Sequence, residues 1–182
     1  MALLLHLNGP SGVGKSTLAR RWVQDHLGTL DLEIDHVAAL IGGWQGDFPA
    51  VLPAARRLAL SMATTHLTGG DDVVMPQLVT SPDEARRFEE ATAVAGAVYV
   101  EVALLAEPAE QSRRFRAKSA TSEIDAEIGR YIDERGGDTV LRRIHGHLTA
   151  YLGDRPDALR VQTDGLDPES TYALLVALLS CR

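Results

Sequence analysis

Cysteine, asparagine and lysine are almost missing from these 182 residues, with one, one and two copies. Cys181 has no second thiol to pair with, so neither a disulfide framework nor a thiolate metal site can be built, and a reducing, cytoplasmic setting is expected. The lone asparagine, Asn8, leaves none for an Asn-Lys-x-Asp guanine-reading motif. Positive charge is short as well: Lys+Arg 18 against Asp+Glu 25 gives a net charge of -7, which disfavours a polynucleotide partner. No apolar run approaches the roughly 20 residues of a membrane span, and the apolar stretch at residues 2–7 is too short for a secretion signal. His145 and His147, two apart on a helical segment, point to different faces with no ligands to complete a zinc site.

What is present begins at residues 9–16, Gly-Pro-Ser-Gly-Val-Gly-Lys-Ser, a complete G-x-x-x-x-G-K-[ST] loop between an apolar strand-like run and a helical segment. The backbone N–H groups of such a loop form a nest for a polyphosphate. Gly9, Ser11, Gly12, Val13, Gly14, Lys15, Ser16 and Thr17 are therefore the expected nucleotide contacts, with Lys15 at the β- and γ-phosphates and Ser16 as ligand of Mg²⁺. One of the chain's two lysines, Lys15, sits in this loop.

Hydrophobic content of 45% suits one domain, residues 1–182, with a normal core. Strands are predicted at residues 2–8, 32–34, 73–75, 97–104 and 159–163. Between them fall helical segments at 16–27, 53–67, 81–94, 108–118, 122–135 and 138–152, with a last helix at 167–179. The alternation predicts an α/β fold: a five-stranded parallel sheet with helices on both faces and ligands beyond the carboxyl ends of the strands.

Asp35 is expected to end the second strand beside the phosphate loop, where a carboxylate can take the proton of an acceptor hydroxyl; as a favoured cap residue it also suits a helix start. Asp31 and Glu33 are expected at the surface. Arg113, Arg114, Arg116 and Lys118 cluster after the fourth strand, where an arginine can stack on a base and another can neutralise a transferring phosphoryl group. The third strand ends Met-Pro-Gln without the acid of a hydrolytic ATPase.

The loop, Asp35 and the Arg-Arg-x-Arg helix together resemble the small P-loop kinases, which include shikimate and gluconate kinases, chloramphenicol phosphotransferases and tunicamycin-resistance proteins; residues 74–83 are similar to the last of these. The resemblance implies the P-loop kinase fold, ATP and Mg²⁺ as cofactors, and phosphoryl transfer to a hydroxyl. Asp35 would be the base and Arg114 would pack on adenine. Residues 119–137 would form a lid carrying Arg130 or Arg135 over the phosphates, and the turn at Asp164 would hold the base. The acceptor would bind along residues 36–57, with Trp44, Phe48 and Arg56 as contacts and Gln77 at the end of strand three. An antibiotic or natural product is the expected acceptor, with a nucleoside, nucleotide or sugar as the alternative. A nucleotide-dependent sequestering or regulatory protein with slow hydrolysis is the alternative of another class. A monomer or homodimer with no membrane partner is expected.

Overall fold

The structure is a computed structural model describing residues 1–118 and 122–181. Residues 119–121, the opening of the expected lid, lie outside the described residues. Five strands, β1 (Leu3–Asn8), β2 (Leu30–Asp31), β3 (Val73–Met75), β4 (Val98–Leu105) and β5 (Leu159–Gln162), form one parallel sheet in the order β2-β3-β1-β4-β5. The expected α/β class is observed.

Successive strand residues supply opposite faces, as the two-residue period of a strand requires. Leu4, Val73 and Met75 join α2 (Ile34–Ala39), α3 (Phe48–Thr68) and Phe88 of α4 (Pro82–Val94) in one apolar cluster. Leu5, Leu7, Val74, Val102 and Val161 meet α1 (Lys15–Asp25) and α8 (Pro168–Ser180) on the other face. Because neighbouring residues of the same strand belong to different clusters, both faces are covered and β1 is buried from Leu4 to Asn8. The remaining helices, α5 (Pro108–Lys118), α6 (Glu123–Glu134) and α7 (Asp138–Gly153), follow the carboxyl end of β4.

Several helix starts follow from their caps. Ser81 accepts from Glu84 N, Ser122 from Asp125 N and Asp167 from Ser170 N, each saturating an amide that the first turn leaves free. Two boundaries depart from the pattern. α3 starts at Phe48, not at Pro53, because Asp47 caps it by accepting from Ala50 N; Pro53 sits in the second turn on the exposed side, where the carbonyl it leaves unpaired can face water.

The second departure matters for the site. The expected strand 32–34 is displaced: β2 is Leu30–Asp31, an edge strand paired to β3, and Leu32 N makes the last ladder bond to Val74 O at 2.8 Å. The apolar alternation of Leu32 and Ile34 reflects burial at a helix start, with both residues at 1% exposure or below. Asp35 accordingly stands in the first turn of α2 and does not end a strand.

Candidate active site

β1 delivers the chain into the phosphate loop through a fixed backbone path. Asn8 Oδ1 accepts from Gly9 N at 2.8 Å and from Val79 N at 2.9 Å, while its Nδ2 donates to Val79 O and to Glu101 Oε1. All four bonding positions of the side chain are used, so the only asparagine ties the loop to the segment after β3. Gly12 has φ +94 and runs against α5; a Cβ there would lie 2.8 Å from Phe115 N and 3.0 Å from Gln111 O. Gly12→Ala is thus expected to weaken ATP binding about tenfold or more, from about 1–3 kcal/mol of backbone strain, measured by calorimetric titration.

The start of α1 is left open to an anion. Gly14 occupies its cap position with φ +100 and no side-chain bond, and no acid lies in the first turn. The unpaired amides and the positive end of the helix dipole face the cavity mouth. Lys15 Nζ donates to Pro10 O at 3.0 Å, and burial, with help from the charge of Lys118, lowers its ammonium to about 8.

Ser16 and Thr17 line the same cavity, which has a volume of about 740 Å³ and also reaches Ser11, Gly12 and Gly14. Gly9 and Val13 lie behind it: Val13 is buried in the core, and a Cβ on Gly9 would meet Leu104 O at 2.5 Å. Val13 also lines a second cavity on the other side of the loop.

Two acids lie beside the loop, one bonded to Ser16 and the other close enough for its charge to act on Lys15. Asp35 lines the cavity, and burial followed by the charge of Glu33 pushes its carboxyl above the usual range, against the pull of Lys15 and Lys118. Glu33, expected at the surface, is buried and accepts from Ser16 Oγ at 2.7 Å, with His36 Nδ1 at 3.7 Å from its other oxygen. Asp31, also expected outside, is half-buried and pushed up to about 6 by burial and by Glu33. Ser16 and Glu33 present hard oxygens, which suits Mg²⁺. Among the described residues no group of three or more His, Cys, Asp or Glu could hold a metal ion.

Of the expected acceptor contacts, Phe48, Arg56 and Gln77 line the cavity and Trp44 does not. The indole of Trp44 is 8% exposed in the apolar cluster of α2 and α3; the chain turns at Gly43, φ +87, and packs the ring inward. Arg56 Nε stands 2.8 Å from Glu84 Oε1. The carbonyl of Gln77 accepts from His6 Nε2, which fixes this segment above the sheet. Arg130 is exposed on α6 and paired to Glu127 at 2.7 Å, outside the cavity lining, and Arg135 lies over the Tyr131 ring at 3.8 Å.

A second cavity of about 450 Å³ opens on the other side of the loop, between Gly12, Thr17, Arg114, Gly165 and Leu166. Arg114 borders both cavities. Its guanidinium donates to Thr163 O, Thr163 Oγ1 and Glu110 Oε1, which holds the plane in place. Asp164 does not line this space: its carboxylate accepts from Glu107 N and Gln162 Nε2, joining the ends of β4 and β5, so the turn offers Gly165 and Leu166 instead.

A family model described as an AAA domain matches residues 4–133 of the chain. No curated protein matches it in sequence. Among solved structures, the Deinococcus radiodurans tunicamycin resistance protein superposes with a TM-score of 0.64 at 18% identity, covering 98% of this chain and 96% of that one. The Mycobacterium tuberculosis APS kinase in complex with AMPPNP and APS gives a TM-score of 0.64 at 19% identity, with 98% of each chain covered. At such identities the likeness is one of fold, that of the small P-loop kinases.

Proposed function

The chain belongs to the AAA domain family, and from that membership and the cavity chemistry we propose that its 182 residues form one kinase domain, an ATP- and Mg²⁺-dependent phosphotransferase acting on a hydroxyl of a small molecule. The observation that carries this reading is Asp35. Its carboxyl shares one cavity with Lys15 and the uncapped start of α1, and its raised proton affinity suits a base.

In the proposed reaction the acceptor hydroxyl oxygen attacks the γ-phosphorus while its proton passes to the Asp35 carboxylate. The bond from that phosphorus to the bridging oxygen breaks, and ADP leaves with the electron pair. Lys15 and the loop amides hold the phosphate oxygens, and Arg114 supports the nucleotide from its anchored position between the two cavities. Ser16 and Glu33 would hold Mg²⁺, whose charge, when bound, offsets that of the phosphate oxygens. The β5–α8 turn at Gly165 and Leu166 gives the base a place to lie.

An antibiotic or other natural product is the proposed acceptor, and the proposed setting is a cytoplasmic resistance or tailoring enzyme. Among the described residues no helix is long and apolar enough to cross a membrane. The test is to incubate the protein with ATP, Mg²⁺ and a panel of hydroxylated antibiotics, nucleosides and sugars. ADP formation stimulated by an acceptor, with one phosphate added to its mass, is expected. ATP binding without stimulated turnover on any member would favour a sequestering protein and sink the kinase reading.

A further inference from the structure

The large cavity extends well beyond the reach of a triphosphate loop, and its far walls differ in chemistry from its floor. Phe48 and Leu52 of α3, Leu78 after β3, Ile124 and Ile128 of α6 and Ile144 of α7 face it. All but Phe48 are only partly buried, so they keep apolar surface turned toward the space.

Two of the cations on these walls, Arg56 and Lys118, are paired within the protein. Arg56 Nε meets Glu84 Oε1 at 2.8 Å, and Lys118 Nζ meets Asp125 Oδ1 at 2.8 Å. Lys15 and Arg114 stand at the loop, and Arg20 is exposed on α1, where its charge acts on Asp31. Away from Arg20, on the walls made by α3 and α6, an anionic acceptor would have to displace an internal carboxylate or place its charge against isoleucine and leucine, and either costs free energy. An uncharged apolar body would instead cover surface that water now wets.

We propose that the acceptor is an uncharged, predominantly apolar alcohol, whose ring system or chain lies against Leu52, Leu78, Ile124 and Ile128 while its hydroxyl reaches Asp35. This rests on the phosphotransferase reading for the last clause only. The body of the acceptor excludes water from the apolar walls, and Gln77 and Asp35 supply the polar contacts at its hydroxyl end. Phosphorylated acceptors, nucleoside monophosphates among them, are disfavoured against α3 because Arg56 already has its counter-charge.

The experiment has a binding arm and a turnover arm, both on the full chain. The uncharged fluorophore N-phenyl-1-naphthylamine is titrated into wild type, Leu52→Asp and Ile124→Asp, with circular dichroism and ATP binding as fold controls. Saturable one-to-one binding is expected, weakened about tenfold or more by each substitution, which lie on different helices. In the turnover arm, uncharged hydroxylated antibiotics are compared with nucleoside monophosphates, in wild type and in Glu84→Gln, which strips Arg56 of its partner.

Phosphorylation of uncharged acceptors alone, with nucleoside monophosphates gaining about tenfold in Glu84→Gln, is the expected result. If the fluorophore fails to bind, or binds equally to both folded variants, the apolar acceptor class is overturned. Preferred turnover of nucleoside monophosphates by wild type also overturns it, and leaves the kinase reading standing. Probe binding as expected with no turnover on any acceptor supports the apolar pocket and overturns phosphotransfer.

Discussion

Asp35→Asn is expected to lower acceptor-dependent ADP formation by about 10²–10⁴-fold, the usual contribution of a positioned base, while ATP affinity changes by less than about threefold. The asymmetry follows from placement. Asp35 belongs to α2 and not to the phosphate loop, so its loss leaves the loop's backbone amides in place and removes the proton acceptor. Turnover measured beside calorimetric ATP binding checks both halves. Equal turnover by the variant would remove Asp35 from the reaction.

The pH profile should carry the same signature. Burial first and the Glu33 charge second hold the Asp35 carboxyl above its ordinary value, and only the carboxylate can act as base. The acid limb of kcat/KM is therefore expected above the range of an exposed aspartate. Glu33→Gln, which removes the second cause, should move that limb to lower pH. For stability the sign is opposite to that of a salt-bridged acid. The native state binds this proton more tightly than the unfolded chain, so Asp35's favourable contribution is full below the unfolded pKa and is lost as pH rises through the folded one. Above the folded value the ionised carboxylate is a cost, and Asp35→Asn, which cannot ionise, should melt there at a higher temperature than wild type.

Much of this architecture is legible in the chain because separate signals agree. The apolar run at residues 3–8, the glycines at 9, 12 and 14 and the helix after Lys15 all specify the same strand, loop and helix. Ser81-Pro82 and Asp167-Pro168 mark their helices because a cap and a proline fit the same two positions. The acids at the start of α2 are less legible. Leu32-Glu33-Ile34 reads as an alternating strand with Glu33 turned outward, yet the strand stops at Asp31 and the chain bends into α2, so Glu33 turns toward Ser16. The pairing of β2 with β3, a long-range choice, decides where that bend falls. The spacing of Glu33 and Asp35 beside a complete phosphate loop was the one available sign. Trp44 is the reverse case: its place in the segment 36–57 suggests an acceptor contact, while its burial depends on how α2 meets α3.

Replacing Lys15 by methionine should cut turnover by about 10²–10³-fold, the cost of losing one preorganised donor aimed at developing charge, and should also weaken ATP binding. The cause of the lysine's low proton affinity gives a further result. Desolvation is the leading cause, the charge of Lys118 the next, and Asp35 and Glu33 act against both, bringing Lys15 to about 8. In the free protein the cationic form thus declines above that pH, and kcat/KM for ATP should fall there with the loss of one proton. Lys118→Met should shift this alkaline limb upward by removing the second cause. The linkage with folding runs the other way from activity. Between about 8 and the unfolded value of 10.5 the unfolded chain binds the proton and the native protein does not, so stability rises with pH across that window. Below it the buried ammonium is a standing cost, and Lys15→Met should melt above wild type at pH 7, with the gap closing as pH approaches 10. A lower melting temperature for both Lys15→Met and Asp35→Asn would mean that their opposite charges stabilise the empty site. A higher one for both means that the cavity holds two groups suited to phosphoryl transfer at the expense of the fold.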